Sequence, residues 1–454
     1  MRSERARRGL IAGVAAAVVF GFYLFFTAKS ASRYFDNDDM MNLYLAWSKP
    51  IGDVFRPVGG LFYRAIYSAG GFDPRPFRVA CLAIGAVNIA LCWRFALLIS
   101  GSQAAAAFAA LLFAFHSRLM EVWFRTAVVY DLLCFLFFYL AACLYIGARR
   151  LGRLPGRWRS IAILASFVCA LGAKEVAVAL PAVLLSYEAL FERPVSWRRL
   201  GLIAGMVAVD VPYLWLKTHG AVATNNPAYQ SEYTGQRFAE TWSLFLNYLF
   251  ILKDQIKPWM AVAILAGMLA VAVAARSRRL ILAWCAAFFP ALPVSFLAYR
   301  GAYVLYAAYA GWVLYAGCLL ATICEWVGRR EPRLRTATAC MAFVLLGWWW
   351  GKRNLHDQRI DSRPWLYQSA NQVRALMDQI RALEPRLPRG AHVLFLEDGF
   401  GTDEWTPYFA VKLLYRDDTL LVDRIKMMDQ KPRDWGGYQY VLNYGDGRYW
   451  LMKP

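Results

Sequence analysis

Charge is scarce in this chain of 454 residues: Asp, Glu, Lys and Arg together make up 18% of it, and 59% is hydrophobic. Soluble domains carry roughly 25% charged and 45–50% apolar residues. Such a deficit excludes a disordered chain, a collagen-like chain and an ordinary cytosolic enzyme, because the apolar excess needs a solvent other than water. Acidic residues are the scarcer sign, 31 against 51 Lys and Arg, giving a net charge of +20. That surplus does not point to nucleic acid. Nineteen of the 51 basic residues fall in the short polar connections 1–8, 100–103, 148–159, 192–199, 276–279 and 325–335, and short loops rich in Lys and Arg stay on the cytoplasmic side of a membrane. The nine cysteines lie in or at the edges of apolar runs without zinc-ligand spacing, which argues against a disulfide framework or structural metal and for packing roles. A Gly-rich phosphate loop and internal repeats are also missing.

What is there is a series of apolar runs. A bilayer core about 30 Å thick takes about 20 helical residues. The run 9–28 fits, follows Arg2, Arg5, Arg7 and Arg8, and has no small-residue cleavage site after it, so it reads as a retained first helix with its N-terminus inside. Further spans are expected at 77–99, 104–116, 128–147, 159–173, 176–191, 200–216, 258–275, 280–298, 302–324 and 336–350. These make about eleven. The basic loops 148–159 and 192–199 on either side of 159–191 require two spans there, with Lys174-Glu175 at an outer turn. The expected fold is mainly α: a polytopic membrane helix bundle over 1–350, followed by a small extracytoplasmic α/β domain over 351–454.

Four stretches are expected outside: 29–76, 117–127, 217–257 and everything after 350. Met40–Trp47, Val58–Ala69 and 242–252 mix apolar and polar residues at near-helical spacing, as interfacial helices do. The tail holds 16 basic and 14 acidic residues, so it is nearly neutral. Its pattern predicts a helix over Pro364–Leu383, strands at His392–Leu396 and Thr419–Ile425 with a helical run 404–415 between them, and a hairpin of Tyr438–Asn443 and Arg448–Met452 around Gly-Asp-Gly.

Several polar groups in these surroundings suit chemistry. Asp36, Asp38 and Asp39 follow the first helix on the outer side. They suit a general base taking a proton from an acceptor hydroxyl, with mutual repulsion raising one carboxylate's pKa; they equally suit a solvated turn or helix cap. Phe55-Arg56-Pro57-Val58 supplies an arginine that either anchors at the interface or binds phosphate. His116 closes the third span, and Arg118, Glu121, Trp123, Arg125 and Asp131 follow it; an ionisable group such as Asp131 at the start of an apolar run points to function. Lys174 offers a point charge for an anionic head group, and Glu175 either holds it or contacts sugar hydroxyls. Asp210 and Arg300 are weaker candidates of the same kind. In the tail, Asp398, Asp403, Glu404 and Trp405 fit either a carbohydrate-facing surface or a solvated loop. Carboxylates and cations on the outer face, beside lipid, match a sugar carried on a polyprenyl phosphate.

The order of these pieces resembles the GT-C superfamily of integral-membrane glycosyltransferases, and within it the bacterial relatives of TMTC-type and protein O-mannosyltransferases. The matching segments are Asp36-Asn37-Asp38-Asp39, Phe55–Val58, Phe115–Val122, Tyr130–Leu133 and Ala173–Pro181. They span about two-fifths of the chain. The resemblance implies an inverting transfer from a polyprenyl-phosphate sugar to a hydroxyl on a glycan, lipid or protein acceptor, at the outer face of a bacterial inner membrane. Asp38 is the expected base, with Asp36 and Asp39 as alternatives. Arg56, Lys174, Arg125 and Arg300 are expected to contact the donor phosphate, and His116, Glu121, Asp131 and Glu175 the substrate. No metal is expected, a divalent ion on the aspartates being the alternative. Two departures stand out: the family's His-Pro is His116-Ser117 here, and the tetratricopeptide repeats of TMTC-type members are replaced by the 351–454 tail. A polyprenyl-linked lipid flippase or transporter is the rival reading; a non-catalytic scaffold presenting the tail is a third.

Overall fold

A computed structural model describes residues 2–54, 56–192, 197–219, 230–298, 300–327, 332–361, 364–384, 386–432 and 434–452. Phe55, Arg193 and the parts of loops 217–257 and 325–335 at 220–229 and 328–331 therefore lie outside the described residues. The fold is mainly helical with one small sheet. Two compact units emerge, and they do not follow the 350/351 boundary read from composition. One comprises 1–28, 82–122 and 130–362; the other gathers 29–81, 123–129 and 363–454.

The larger unit consists of apolar helices. Among the described residues of the whole chain, five helices are long and apolar enough to cross a membrane: Gly9–Ser32, Pro74–Ser100, Thr126–Arg149, Leu200–Lys217 and Ala302–Val327. Gln103–Ala114 and Pro258–Ala274 are shorter apolar helices. Lipid gives helices no hydrophobic reason to associate, so close backbone approach and interhelical hydrogen bonds take over. Both are present around the helix Tyr306–Val327. A Cβ added at Gly311 would lie 2.1 Å from the Ala287 nitrogen, and one at Gly317 would lie 2.5 Å from the Ala105 oxygen. The hydroxyls of Tyr309, Tyr139 and Tyr315 donate to the carbonyls of Leu112 (2.9 Å), Ala307 (2.8 Å) and Met268 (2.8 Å). A buried charge must be paired: Arg149 Nε meets Glu188 Oε1 at 2.6 Å, and the Tyr145 hydroxyl donates to the same oxygen at 3.0 Å.

In the smaller unit the sheet has order β2-β1-β3-β4, with β1 His392–Phe395, β2 Leu421–Arg424, β3 Tyr440–Gly445 and β4 Arg448–Met452. β1 pairs in parallel with β2 and β3; β3 and β4 form the antiparallel hairpin. A parallel β1–β2 pair needs a crossover, which the helix Thr406–Tyr415 supplies. The helix Pro364–Leu383 buries Leu366, Val373, Leu376, Met377 and Ile380, an amphipathic stripe at 3–4 residue spacing. Two more helices, Asn37–Ser48 and Pro57–Gly70, belong to this unit, where interfacial helices were expected.

Candidate functional site

The three aspartates open the helix Asn37–Ser48, and their roles separate there. Asp36 is its N-cap: Asp36 Oδ1 accepts from the Asp39 amide at 3.2 Å, and Asp39 Oδ2 accepts from the Asp36 amide at 3.0 Å. This reciprocal box satisfies two otherwise orphaned donors. It also buries Asp36 and Asp39, at 2% and 0% exposure. Asp38 turns outward, its side chain 56% exposed.

Three arginines balance the three acids. Arg125 donates through Nε to Asp36 Oδ2 at 2.7 Å and through Nη2 to Asp38 Oδ2, so one guanidinium bridges the buried and the exposed carboxylate. Its plane sits 5.5 Å from the Trp365 ring centre. Arg33 meets Asp36 at 3.3 Å and also donates to the carbonyls of Phe124 and Leu366. Arg78 reaches Asp39 Oδ2 at 2.9 Å and the Tyr34 carbonyl at 3.0 Å. The Ala127 amide donates to Asp39 Oδ1. Burial pushes Asp36 upward, but Arg125 and Arg33 outweigh it and hold its carboxyl below the usual range. Burial, and then the charge on Asp36, raise Asp39 to about 6. The repulsion expected from clustering thus acts on Asp39, second to desolvation.

Neighbouring side chains fix this turn in place. Asn37 donates to Glu404 at 2.7 Å and accepts from Ser369 at 3.2 Å. Glu404 accordingly has a structural contact, and so has Asp398: Arg424 forks onto both its oxygens at 2.8 Å. Trp405 is exposed. Arg56 is half-buried and immediately precedes the helix Pro57–Gly70.

The other candidates belong to the larger unit. Lys174 ends the helix Arg157–Ala173, and a 3-10 turn Glu175–Ala179 follows, so the apolar stretch does break there. Its ammonium lies 2.5 Å from Asp131 Oδ1, the two side chains being 7% and 6% exposed. The same nitrogen is 5.0 Å from the centre of the Tyr303 ring. Glu175 pairs instead with Lys217 at 3.8 Å. Holding Lys174, one of the two duties read for Glu175, falls to Asp131. Glu121 is buried, and its Oε1 would lie 3.4 Å from a Cβ added at Gly301, next to half-buried Arg300. Asp210 is buried in the helix Trp197–His219.

His116 is fully buried. Its Nδ1 accepts from the Arg118 amide at 3.2 Å, which leaves the proton on Nε2, 3.1 Å from the Leu249 carbonyl. Ser117, where the resemblance leads to an expected proline, uses the amide that a proline would lack: it donates to Asn354 Oδ1 at 2.6 Å, and its hydroxyl donates to Asp357 Oδ2 at 2.6 Å. Arg118 forks across Asp357 (2.7 Å) and Asp361 (2.8 Å). The segment thereby pins the helix Pro332–Ile360. Among the described residues no group of three His, Cys, Asp or Glu is arranged to hold a metal ion.

The sequence alone does not single out Arg33, Arg78 or Asp357. Arg33 is three residues before Asp36, a spacing that signals a local pair; Arg78 and Asp357 have no such signal.

No family model and no curated protein sequence matches the chain. Among solved structures, it is similar to ArnT from Cupriavidus metallidurans bound to undecaprenyl phosphate, with a TM-score of 0.53 and 15% identity, over 96% of this chain and 92% of that one. At that identity the likeness is one of fold: the chain has an ArnT-like fold.

Proposed function

We propose that the chain is an inverting glycosyltransferase that moves a sugar from a polyprenyl-phosphate donor to an acceptor hydroxyl at the outer face of a bacterial inner membrane. The observation that carries this reading is the exposed Asp38 carboxylate, clamped by an arginine that is itself anchored on buried Asp36, in a chain with the fold of a protein crystallised with undecaprenyl phosphate. Asp38 takes the acceptor hydroxyl's proton. The acceptor oxygen bonds to the anomeric carbon as the carbon–oxygen bond to phosphate breaks, and that electron pair leaves with the polyprenyl phosphate. Arg125 orients Asp38. Arg56, Arg125, Lys174 and Arg300 are the proposed donor-phosphate contacts; Glu121, Asp131 and Glu175 are proposed to bind or order the substrate. His116, with both ring nitrogens engaged by the backbone, is proposed to shape the scaffold. The spans number about eleven, with the N-terminus inside and the 351–454 tail outside.

A purified preparation in liposomes tests this against the flippase reading. Given a labelled polyprenyl-phosphate sugar, a transferase releases free polyprenyl phosphate and a glycosylated acceptor. Movement of intact donor between leaflets, with its sugar bond unbroken, would overturn the proposal.

A further inference from the structure

Away from these residues, the larger unit contains a polar cavity of about 460 Å³. Its wall brings together three connections far apart in sequence: the turn Ser100–Ser102 before the helix Gln103–Ala114, the turn at Ala275–Ser277 with the first residues of the helix Arg278–Phe288, and the end of the helix Tyr306–Val327 at Thr322 and Glu325. Arg276, Arg278 and Arg279 all line it and are exposed. Among the described residues, none of the three has a carboxylate partner. The one acid in the wall, Glu325, is taken by Arg335. Arg276 holds a left-handed backbone, φ 49°, that reverses the chain there. Part of the lining is apolar, with Ala105, Phe191, Leu280 and Cys318. Beside it, Val271, Val273, Ile323 and Trp326 are exposed apolar side chains, as expected of a surface that meets lipid tails.

We infer that this cavity is a binding site for a phosphate-ester anion, held by Arg276, Arg278 and Arg279. Basic residues at the end of apolar helices hold a chain's topology, and where they converge on a pocket between such helices they bind anionic head groups. The charge pattern of the sequence assigns these same connections to the cytoplasmic side, so the site differs from the outward-facing chemistry proposed above and does not depend on it. Its occupant is either the head group of an anionic phospholipid or a soluble phosphate.

The test uses the full-length protein in phosphatidylcholine nanodiscs, with and without phosphatidylglycerol, and separately with inorganic phosphate, read by thermal unfolding and lipid titration. Phosphatidylglycerol raises Tm over pure phosphatidylcholine in the wild type. Each surface arginine typically adds about five-fold to such binding, so Arg276→Gln/Arg278→Gln/Arg279→Gln weakens it on the order of 100-fold. These side chains are exposed, so the triple variant folds. A variant losing equal charge from exposed tail positions, Arg381→Gln/Arg386→Gln/Arg389→Gln, keeps the wild-type response. Stabilisation by inorganic phosphate as well identifies a soluble occupant; stabilisation by the lipid alone identifies the head group. An unaltered lipid response in the first triple variant, or an equal loss in the tail variant, overturns the inference.

Discussion

Removing the ammonium of Lys174 tests a buried charge pair whose two members are both candidate residues. Lys174→Met keeps much of the side-chain volume but takes away a cation 2.5 Å from Asp131, at a site where both side chains are nearly inaccessible. Breaking a buried pair from one side costs about 3–5 kcal/mol, while replacing both members with apolar residues is often neutral or stabilising. Lys174→Met and Asp131→Leu are therefore each expected to lose about 3–5 kcal/mol, and the double variant to unfold within about 1 kcal/mol of the wild type. Part of the Lys174 loss comes from its contact with the Tyr303 ring, worth about 0.5–2 kcal/mol. Denaturant or thermal unfolding in detergent, followed through the chain's 18 tryptophans, measures all three. The functional question then separates from the structural one. If Lys174 contacts the donor phosphate, the double variant is folded but inactive. A Lys174→Met variant as stable as the wild type, or costs that simply add in the double variant, refutes the pairing argument.

Other expectations follow from the same geometry. Asp39 titrates near 6 in the fold and near 3.9 unfolded. Its contribution is thus fully present below pH 4, falls as pH rises toward 6, and amounts to about 3 kcal/mol; a pH series of unfolding curves shows this slope in the wild type and flattens it in Asp39→Asn. Asp36 acts with the opposite sign: its lowered pKa stabilises the fold above pH 4 and is lost in acid, so Asp36→Asn removes the acid-side decline. Arg125→Ala cuts sugar transfer by about 10²–10³, and Arg125→Lys recovers only part of it, because an ammonium does not make the two-pronged bridge to Asp36 and Asp38. Gly311→Ala places a methyl group against the Ala286–Ala287 backbone and destabilises the helix bundle by about 1–3 kcal/mol or more, visible as a lower unfolding temperature.

Much of the tail and the helix ends was legible because the signals are local. The helix Pro364–Leu383 has the expected bounds, and the strands fall within two residues of their expected ends. The Lys174-Glu175 break in the apolar run, and the helices that begin at Asn37 and Pro57, also announce themselves by composition. What stayed hidden was partnership. Asp36, Asp38 and Asp39 look alike in sequence, yet a capping box buries two of them and leaves the third to solvent. Lys174 and Glu175 are adjacent, but successive residues point different ways, so each finds a distant partner, Asp131 and Lys217. Arg78 meets Asp39 across a separation of 39 residues, which no local pattern encodes. A serine rather than the proline expected from the resemblance is intelligible only in the fold, where the Ser117 amide and hydroxyl anchor the helix Pro332–Ile360.

The measurement that bears most directly on the account is the turnover of polyprenyl-phosphate sugar by Asp38→Asn in a sample shown to be folded. Asp38 is largely exposed, so its exchange for asparagine leaves the unfolding temperature close to that of the wild type. As the general base it should take with it a factor of about 10²–10⁴ in rate. Wild-type turnover by the folded Asp38→Asn protein would contradict the account.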